Sequence, residues 1–433
     1  MKKRSILAAA VAASMVLGVA VPAAAYDVKE ITVNIWDNNQ LAGLQEIADA
    51  WTEESGVNVT INVIDWDNYW TLLEAGASGG EMPDVFWMHS NVAQMYMEND
   101  LLLALDDYVA ADDKIDMANY YEGITELFTR KDNEKLYALP KDHDTIALLY
   151  NKAIFDKYGV DYPSDDWSWD DVLAAAKAIT EAGEADGVYG YAVNTSNNQD
   201  GWYNLVYGYG GNIVGEDHKT TELGSDASKA GMEMMRQILE YSVPQTIIAE
   251  TGTDSLFQSN TVGMITQGSW MINSFYKAES AADYAWAEIP YADANGNGAC
   301  DEGERVSCYN GLGWAANANV ADPQACYDLI SWFCQEPQQK MQAELGVTMA
   351  GMKGISEDFA NAFPGMDVSA FTKVEEDGSL FFRPYTRNTT VWEDALQQAG
   401  GFLDAWQDPS NPDTMAQACE NGQAIIENAI AQE

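Results

Sequence analysis

Apolar and polar residues alternate through Ile31-Thr32-Val33-Asn34-Ile35-Trp36, the period-two pattern of a half-buried strand. The period then lengthens. Leu41, Leu44, Ile47, Ala48 and Trp51 fall on one helical face, and Gly56 stops the run. Val57, Val59, Ile61 and Val63 alternate again, 66–77 reads as helix, and 85–88 as a short buried strand. Strand and helix in turn predict an α/β chain with parallel strands and right-handed crossovers. The rhythm continues with a buried strand at 145–150, an amphipathic helix at 169–182, a helix at 231–241 and a strand at 262–266. From Pro323 onward the pattern is mostly helical.

The 433 residues leave room for two or three domains. No Pro- or Ser-rich linker interrupts them, so lobes joined by several short crossings of the main chain are expected. The start is different. Lys2, Lys3 and Arg4 precede an apolar run at 6–21, and Ala23, Ala24 and Ala25 supply small residues before Tyr26. This is the layout of a cleaved secretory signal peptide over 1–25. No Cys follows the apolar run, so no lipid anchor is expected. The protein is expected to be exported, to a periplasm or the extracellular space.

Charge narrows the partners. With 22 Lys+Arg against 68 Asp+Glu, the formal charge is −46. Binding of nucleic acid or of an anionic lipid surface needs clustered basic residues, so both are excluded. Five Cys leave at least one unpaired in any disulfide scheme. Cys300 and Cys308 flank a turn-rich stretch and could bridge. Cys326 and Cys334 share a helical run, and eight residues at ~1.5 Å each hold them too far apart. There is no C-x-x-C, H-E-x-x-H, P-loop or G-x-S-x-G. Carboxylate pairs are expected by chance in so acidic a chain.

The aromatic residues carry more. Many of the 14 Trp sit beside polar residues: Trp36-Asp37-Asn38, Trp66-Asp67-Asn68, Trp202-Tyr203-Asn204, Ser269-Trp270 and Trp392-Glu393. A pyranose has a flat C–H face and a rim of hydroxyls. An aromatic plane with Asp, Asn or Arg at its edge suits both. Core filling is the competing use of any single Trp.

Four segments, in order, resemble the maltose-binding-like class of bacterial extracellular solute-binding proteins, the ligand receptors of ABC sugar importers. They are Gly80-Glu81-Met82-Pro83-Asp84-Val85-Phe86-Trp87, then Leu139-Pro140-Lys141-Asp142-His143-Asp144-Thr145 with Leu149-Tyr150-Asn151-Lys152, then Gly263 to Trp270, and Gly311-Leu312-Gly313-Trp314-Ala315-Ala316-Asn317-Ala318. The resemblance implies a two-lobed periplasmic-binding-protein fold of type II, each lobe a sheet flanked by helices, with a ligand cleft between. It places 26–142 and 300–335 in the N-terminal lobe and 143–299 and 336–433 in the C-terminal lobe. It implies a monomer without catalysis that binds a mono- or oligosaccharide and meets the importer's membrane subunits. Carried onto this chain, the cleft comprises Trp36, Asp37, Asn38, Trp87, Ser90, Asn91, Asp144, Asp200, Trp202, Tyr203, Trp270, Arg383, Arg387 and Trp392. Trp270 is the expected stacking residue, and free N–H groups of a helix starting at Gly268 or Ser269 are expected to face the cleft. Asp84 is expected to make a structural contact only.

One motif stands apart. Asp293, Asn295, Asn297, Asp301 and Glu304, with Gly298, match the D-x-[DN]-x-[DN]-G-x5-E calcium loop. Extended flanks predict a structural Ca2+ loop outside an EF-hand; a solvated Asn-Gly turn is the plainer reading. For the whole chain, two alternatives stay open: a secreted glycoside hydrolase with an aromatic cleft, and a receptor of the same fold for a small cationic ligand.

Overall fold

A computed structural model describes residues 26–376 and 380–433. The signal-peptide expectation at 1–25 lies outside the described residues. Eleven strands are β1 (Glu30–Ile35), β2 (Asn58–Val63), β3 (Val85–His89), β4 (Ala138–Pro140), β5 (Ile146–Asn151), β6 (Tyr189–Ala192), β7 (Val262–Gly268), β8 (Tyr284–Glu288), β9 (Ser307–Tyr309), β10 (Leu312–Ala316) and β11 (Leu380–Phe382). They form a five-stranded sheet ordered β2-β1-β3-β10-β4, a four-stranded sheet ordered β6-β7-β5-β8, and the pair β11-β9. Each larger sheet carries helices, giving the two-lobed α/β architecture.

The alternating and helical runs fold as their periods require. Leu44, Ile47, Ala48 and Trp51 are the buried face of helix Asn38–Ser55. Trp314 of β10 stacks on Phe333 of helix Pro323–Cys334, with centroids 4.4 Å apart. In the second lobe Val172, Ala176 and Ile179 line the buried face of helix Trp169–Gly183. Gly190 of β6 passes so close that a Cβ there would lie 2.1 Å from the Ala176 carbonyl oxygen.

Parallel pairing holds only in part. β1 runs parallel to β2 and β3, and β6 to β7. β10 is antiparallel to both its neighbours, and β5 to both of its own. Both exceptions enter their sheet directly from a crossing between lobes, so they arrive from the cleft side and run the other way.

The crossings are short. Backbone bridges join Asp142 to Ala350 and Asp144 to Asn310. The run from Glu336, placed above in the second lobe, packs instead on the first. Helix Glu336–Glu344 lies against helices Asn38–Ser55 and Pro323–Cys334. Gln339 and Gln342 both donate to the Lys141 carbonyl. Only helix Ala370–Glu376 returns to β5 and β8. All five cysteines are free, Cys300 exposed and the other four buried, so the Cys300–Cys308 bridge is absent. Among the described residues no helix is long and apolar enough to cross a membrane.

Candidate functional site

The first lobe brings its polar turns to the ends of β1 and β3. After β1, Asp37 caps helix Asn38–Ser55 by accepting the Asn39 N–H (2.8 Å) and also takes the Gln40 amide (3.1 Å). After β3, the His89 ring accepts the Asn91 N–H (3.3 Å) and so caps helix Ser90–Glu98. Burial, then the nearby Arg383 charge, push His89 down to about 3, so it is a neutral imidazole at any physiological pH.

Around these turns stands an aromatic cluster. The half-buried Trp36 meets Trp66, Tyr69 and Trp87 edge-on at centroid distances of 5.1, 4.9 and 4.9 Å. Trp66 also lies edge-on to His89, at 5.5 Å. Trp66 starts helix Trp66–Gly79 and is 41% exposed, whereas Trp87 is 0% exposed. Trp87 therefore supports Trp36 from beneath, with the Lys141 ammonium 4.5 Å from its ring, and does not form a wall as expected from the sequence. Asp84 does make the structural contact: its carboxylate accepts from both the Thr32 N–H and hydroxyl, each at 2.8 Å.

A relay of hydrogen bonds joins this region to the second lobe. The Ser90 hydroxyl donates to Asn310 Oδ1 (2.8 Å), and Asn310 Nδ2 donates to Gln199 Oε1 (3.0 Å). The Asn310 backbone pairs with Asp144, whose carboxylate accepts the Ser269 hydroxyl (3.2 Å). Burial, then the neighbouring Asp142, hold the Asp144 carboxyl well above the usual carboxylate range. Burial, then Asp254, do the same to Asp200, which takes a hydrogen bond from the Asn197 amide (2.9 Å).

Trp270 follows β7 and is half-buried. Its ring lies over Gly268, where a Cβ would meet it at 1.8 Å, so only glycine permits this approach. Of the N–H groups expected to be free, that of Ser269 is used. Ser269–Met271 is a single 3-10 turn, and the Ser269 N–H donates to the Thr145 carbonyl (3.1 Å).

Other expected residues separate. Trp202, Tyr203 and Trp392 are fully buried in the second lobe. Trp202 donates to Asn198 and Trp392 to Thr386, so both indoles are spent within the core. Tyr203 donates to Glu393 (2.7 Å), which also binds Arg383 Nη2 (2.7 Å). Arg383 is buried, and among the described residues its Nε and Nη1 have no partner. Arg387 instead pairs with Glu98 of the first lobe (2.5 Å), spanning the two lobes at their surface. Asn38 is exposed and Asn91 half-buried. His89, Gln199 and Asn310 escaped the sequence reading, and Trp66 and Glu393, which stood in the polar-flanked tryptophan set, were not assigned to the cleft. Asn310 had a signal, standing at a crossing directly before Gly311 and β10. Two surface depressions, of about 660 and 540 Å³, lie on the first lobe's helices, away from this relay.

The calcium motif folds as a compact loop between β8 and β9, without flanking helices. Asp293 accepts the N–H groups of Asn297 and Gly298 (both 2.9 Å). Glu304 accepts those of Ala294 (3.2 Å) and Asp301 (2.9 Å). The Asn295 and Asn297 amides converge on Asp301 at 2.7 and 2.8 Å. Hydrogen bonds within the loop thus gather the five side chains; among the described residues no group of three or more His, Cys, Asp or Glu is placed to hold a metal ion.

The model of bacterial extracellular solute-binding proteins matches residues 36–340, more than half of the sequence. The chain belongs to this family. Among curated relatives, this solute-binding protein is 25% identical over 330 residues to a maltooligosaccharide ABC transporter solute-binding lipoprotein of Streptococcus pneumoniae, covering 73% of this chain and 70% of that one. It is 22% identical over 282 residues to a putative binding protein of Brucella abortus, covering 64% and 67%. Its fold is that of an ABC substrate-binding protein of Listeria monocytogenes in complex with cycloalternan, at a TM-score of 0.79, 20% identity, and 94% and 100% coverage. The GacH receptor of Streptomyces glaucescens superposes at 0.77, also with 20% identity, covering 93% and 99%. As a member of this family, the solute-binding protein is a component of a transport system, the coarse function its sequence implied.

Proposed function

We propose that this solute-binding protein captures a sugar or oligosaccharide between its lobes and hands it to an ABC importer outside the cytoplasm, without chemical change. The observation that carries the proposal is the half-exposed Trp36–Trp66–His89 surface, joined through Ser90, Asn310, Asp144 and Ser269 to the turn that holds Trp270. Aromatic faces take the C–H side of a sugar ring, and Asp37, Asn91 and Asp144 take hydroxyls. The two unpartnered N–H positions of Arg383 favour an acceptor-rich ligand. The relatives' maltooligosaccharide and cycloalternan ligands support this class. The lobe limits that go with the reading are 26–141 with 311–350, and 145–306 with 370–433. Closure on the ligand selects the state that the importer reads.

A glycoside hydrolase would need two carboxylates working on one bond. Asp144 and Asp200 are both raised above the usual carboxylate range, by burial first and then by Asp142 and Asp254 respectively. A thermal-shift panel of mono- and oligosaccharides tests the proposal. A ligand at a hundred times its dissociation constant adds ~2.7 kcal/mol to the folded state. A shift with one sugar series and no release of reducing sugar supports a receptor; turnover, or no shift with any sugar, refutes it. For the 293–304 loop, Asp293, Asn295, Asn297, Asp301 and Glu304 would hold a structural Ca2+. A melting temperature unchanged by calcium or chelator would remove it.

A further inference from the structure

The depression of about 540 Å³ on the first lobe has walls of an unusual kind. Tyr26, Trp51, Tyr108, Tyr327 and Trp332 line it, from the start of the described chain, helix Asn38–Ser55, helix Asp106–Ala111 and helix Pro323–Cys334. Tyr108 stacks on Tyr327 (5.1 Å, 24°), and Tyr26 packs on Trp51 (6.0 Å, 36°). Glu54, Asp107, Asp112 and Asp328 share the lining with Lys114.

Two of these carboxylates are fixed before any ligand arrives. Asp112 accepts the Ser331 hydroxyl (2.6 Å), the Tyr327 hydroxyl (3.1 Å) and the Lys114 N–H (3.0 Å). Asp328 accepts the Tyr26 hydroxyl (2.7 Å) and the Gln324 amide (2.8 Å). Much of their hydrogen-bonding capacity is used, while their charge remains. The depression therefore offers the half-buried rings of Tyr26, Tyr108 and Trp332, with Trp51 and Tyr327 buried behind them, and negative field more than free acceptors. That combination suits an alkylated ammonium, which has charge and apolar surface but no N–H to donate. The volume is that of a small-molecule site.

It is also remote from the cleft. Helix Asn38–Ser55 has its first residue at the Asp37 turn and contributes Trp51, Glu54 and Ser55 to the depression. At ~1.5 Å per residue, its 18 residues span about 27 Å. We infer that this pocket is a second ligand site, outside the interlobe cleft, for a small organic cation with an alkylated ammonium head.

Choline is the probe, and 3,3-dimethylbutan-1-ol, its uncharged isostere, is the control. Titration of the purified protein, followed by calorimetry and by tryptophan fluorescence from the Trp51 and Trp332 walls, should saturate with choline and bind the isostere at least ~10-fold more weakly. Asp107→Asn, a change at an exposed carboxylate, should weaken choline several-fold, and Tyr108→Ala should weaken it about 10-fold or more. Trp270→Ala, in the cleft, should leave choline binding unchanged, and saturating choline should leave any sugar-induced thermal shift in place. No saturation up to about 10 mM choline would overturn the inference. So would equal binding of the isostere, which would make the pocket merely hydrophobic. Loss of choline binding in Trp270→Ala, with retention in Asp107→Asn and Tyr108→Ala, would move the cation to the cleft and equally overturn it.

Discussion

The tryptophans at the first lobe's cleft edge and those in the second lobe's interior are used in opposite ways. At the strand ends of the first lobe, Trp36 and Trp66 stand half-buried or exposed, edge-on to one another, with Trp66 also edge-on to a neutral His89. In the second lobe Trp202 and Trp392 are 0% exposed, and the polar groups beside them, Tyr203, Glu393 and Arg383, are buried in one charged network. Both sets have the same local sequence signature, an indole followed by polar residues. The difference lies in what the polar neighbour does. Asp37 and Asp65 cap helices at the cleft edge, which leaves the adjacent indole outside the helix core. Asn198 and Thr386 reach across within their own lobe and take the indole N–H, drawing the ring inward. The first set thus supplies surface for a ligand, and the second supplies rigidity and charge.

The largest effects should fall on the buried set. Trp202→Ala or Trp392→Ala should each cost about 3–5 kcal/mol of folding free energy, read as a drop in urea midpoint. Arg383→Met should cost a similar ~3–5 kcal/mol, because it strands the Glu393 carboxylate that Arg383 and Tyr203 share. Trp66→Ala should do the reverse. Stability should stay within about 0.5 kcal/mol, while sugar affinity falls about 3- to 10-fold in calorimetry. If Trp66→Ala destabilised as much as Trp202→Ala, the division between lobes would fail.

Much of the fold was open to sequence reasoning, and the reason is periodicity. Helices Asn38–Ser55, Trp66–Gly79 and Trp169–Gly183 lie where 3.6-residue patterning and end signals placed them. Strand direction was not legible, because β5 and β10 owe theirs to the crossings, and a crossing leaves no local periodic mark. The return at Glu336 was missed for the same reason: Gln339 and Gln342 hold that helix on the first lobe through a carbonyl nearly two hundred residues earlier. For the site, the turns at Asp37, His89 and Trp270 came from motif and resemblance. Burial could not. Whether Trp87 is a wall or a prop depends on Trp36 and Lys141 lying on either side, which only the assembled sheet decides.

A smaller effect should appear at the crossing itself. His143 is buried between the Ala350 carbonyl and Glu375 Oε1, at 2.5 and 2.6 Å. Burial alone would lower its affinity for a proton, but Glu375 outweighs burial and raises it above the ordinary value. The folded state then holds a proton that the unfolded chain gives up near pH 6.5. This stabilisation is full below about pH 6.5 and is lost as pH rises through the raised folded value. Urea midpoints of wild type should therefore decline over that window, and His143→Gln should flatten the decline. An equal decline in the variant would assign it to other groups, among them Asp144, whose raised value gives a loss of the same sign beginning near pH 4.

The smallest effect is expected where the lobes touch at the surface. Arg387 Nε and Glu98 Oε2 are 2.5 Å apart, but the Arg387 side chain is 51% exposed. Such a pair contributes about 0.2–1 kcal/mol, and only in the closed state. Glu98→Gln should therefore leave lobe stability unchanged and weaken sugar binding by at most about 5-fold, since a ligand that needs closure bears the cost of the missing pair. Salt provides the internal control. Raising ionic strength screens an exposed pair, so it should weaken sugar binding to wild type and have little effect on Glu98→Gln. If both proteins lost affinity equally with salt, the screened charges would lie in the cleft itself. Closure would then depend on the buried Ser90–Asn310–Asp144 relay, and the contrast between the two lobes would rest on that relay instead of the surface pair.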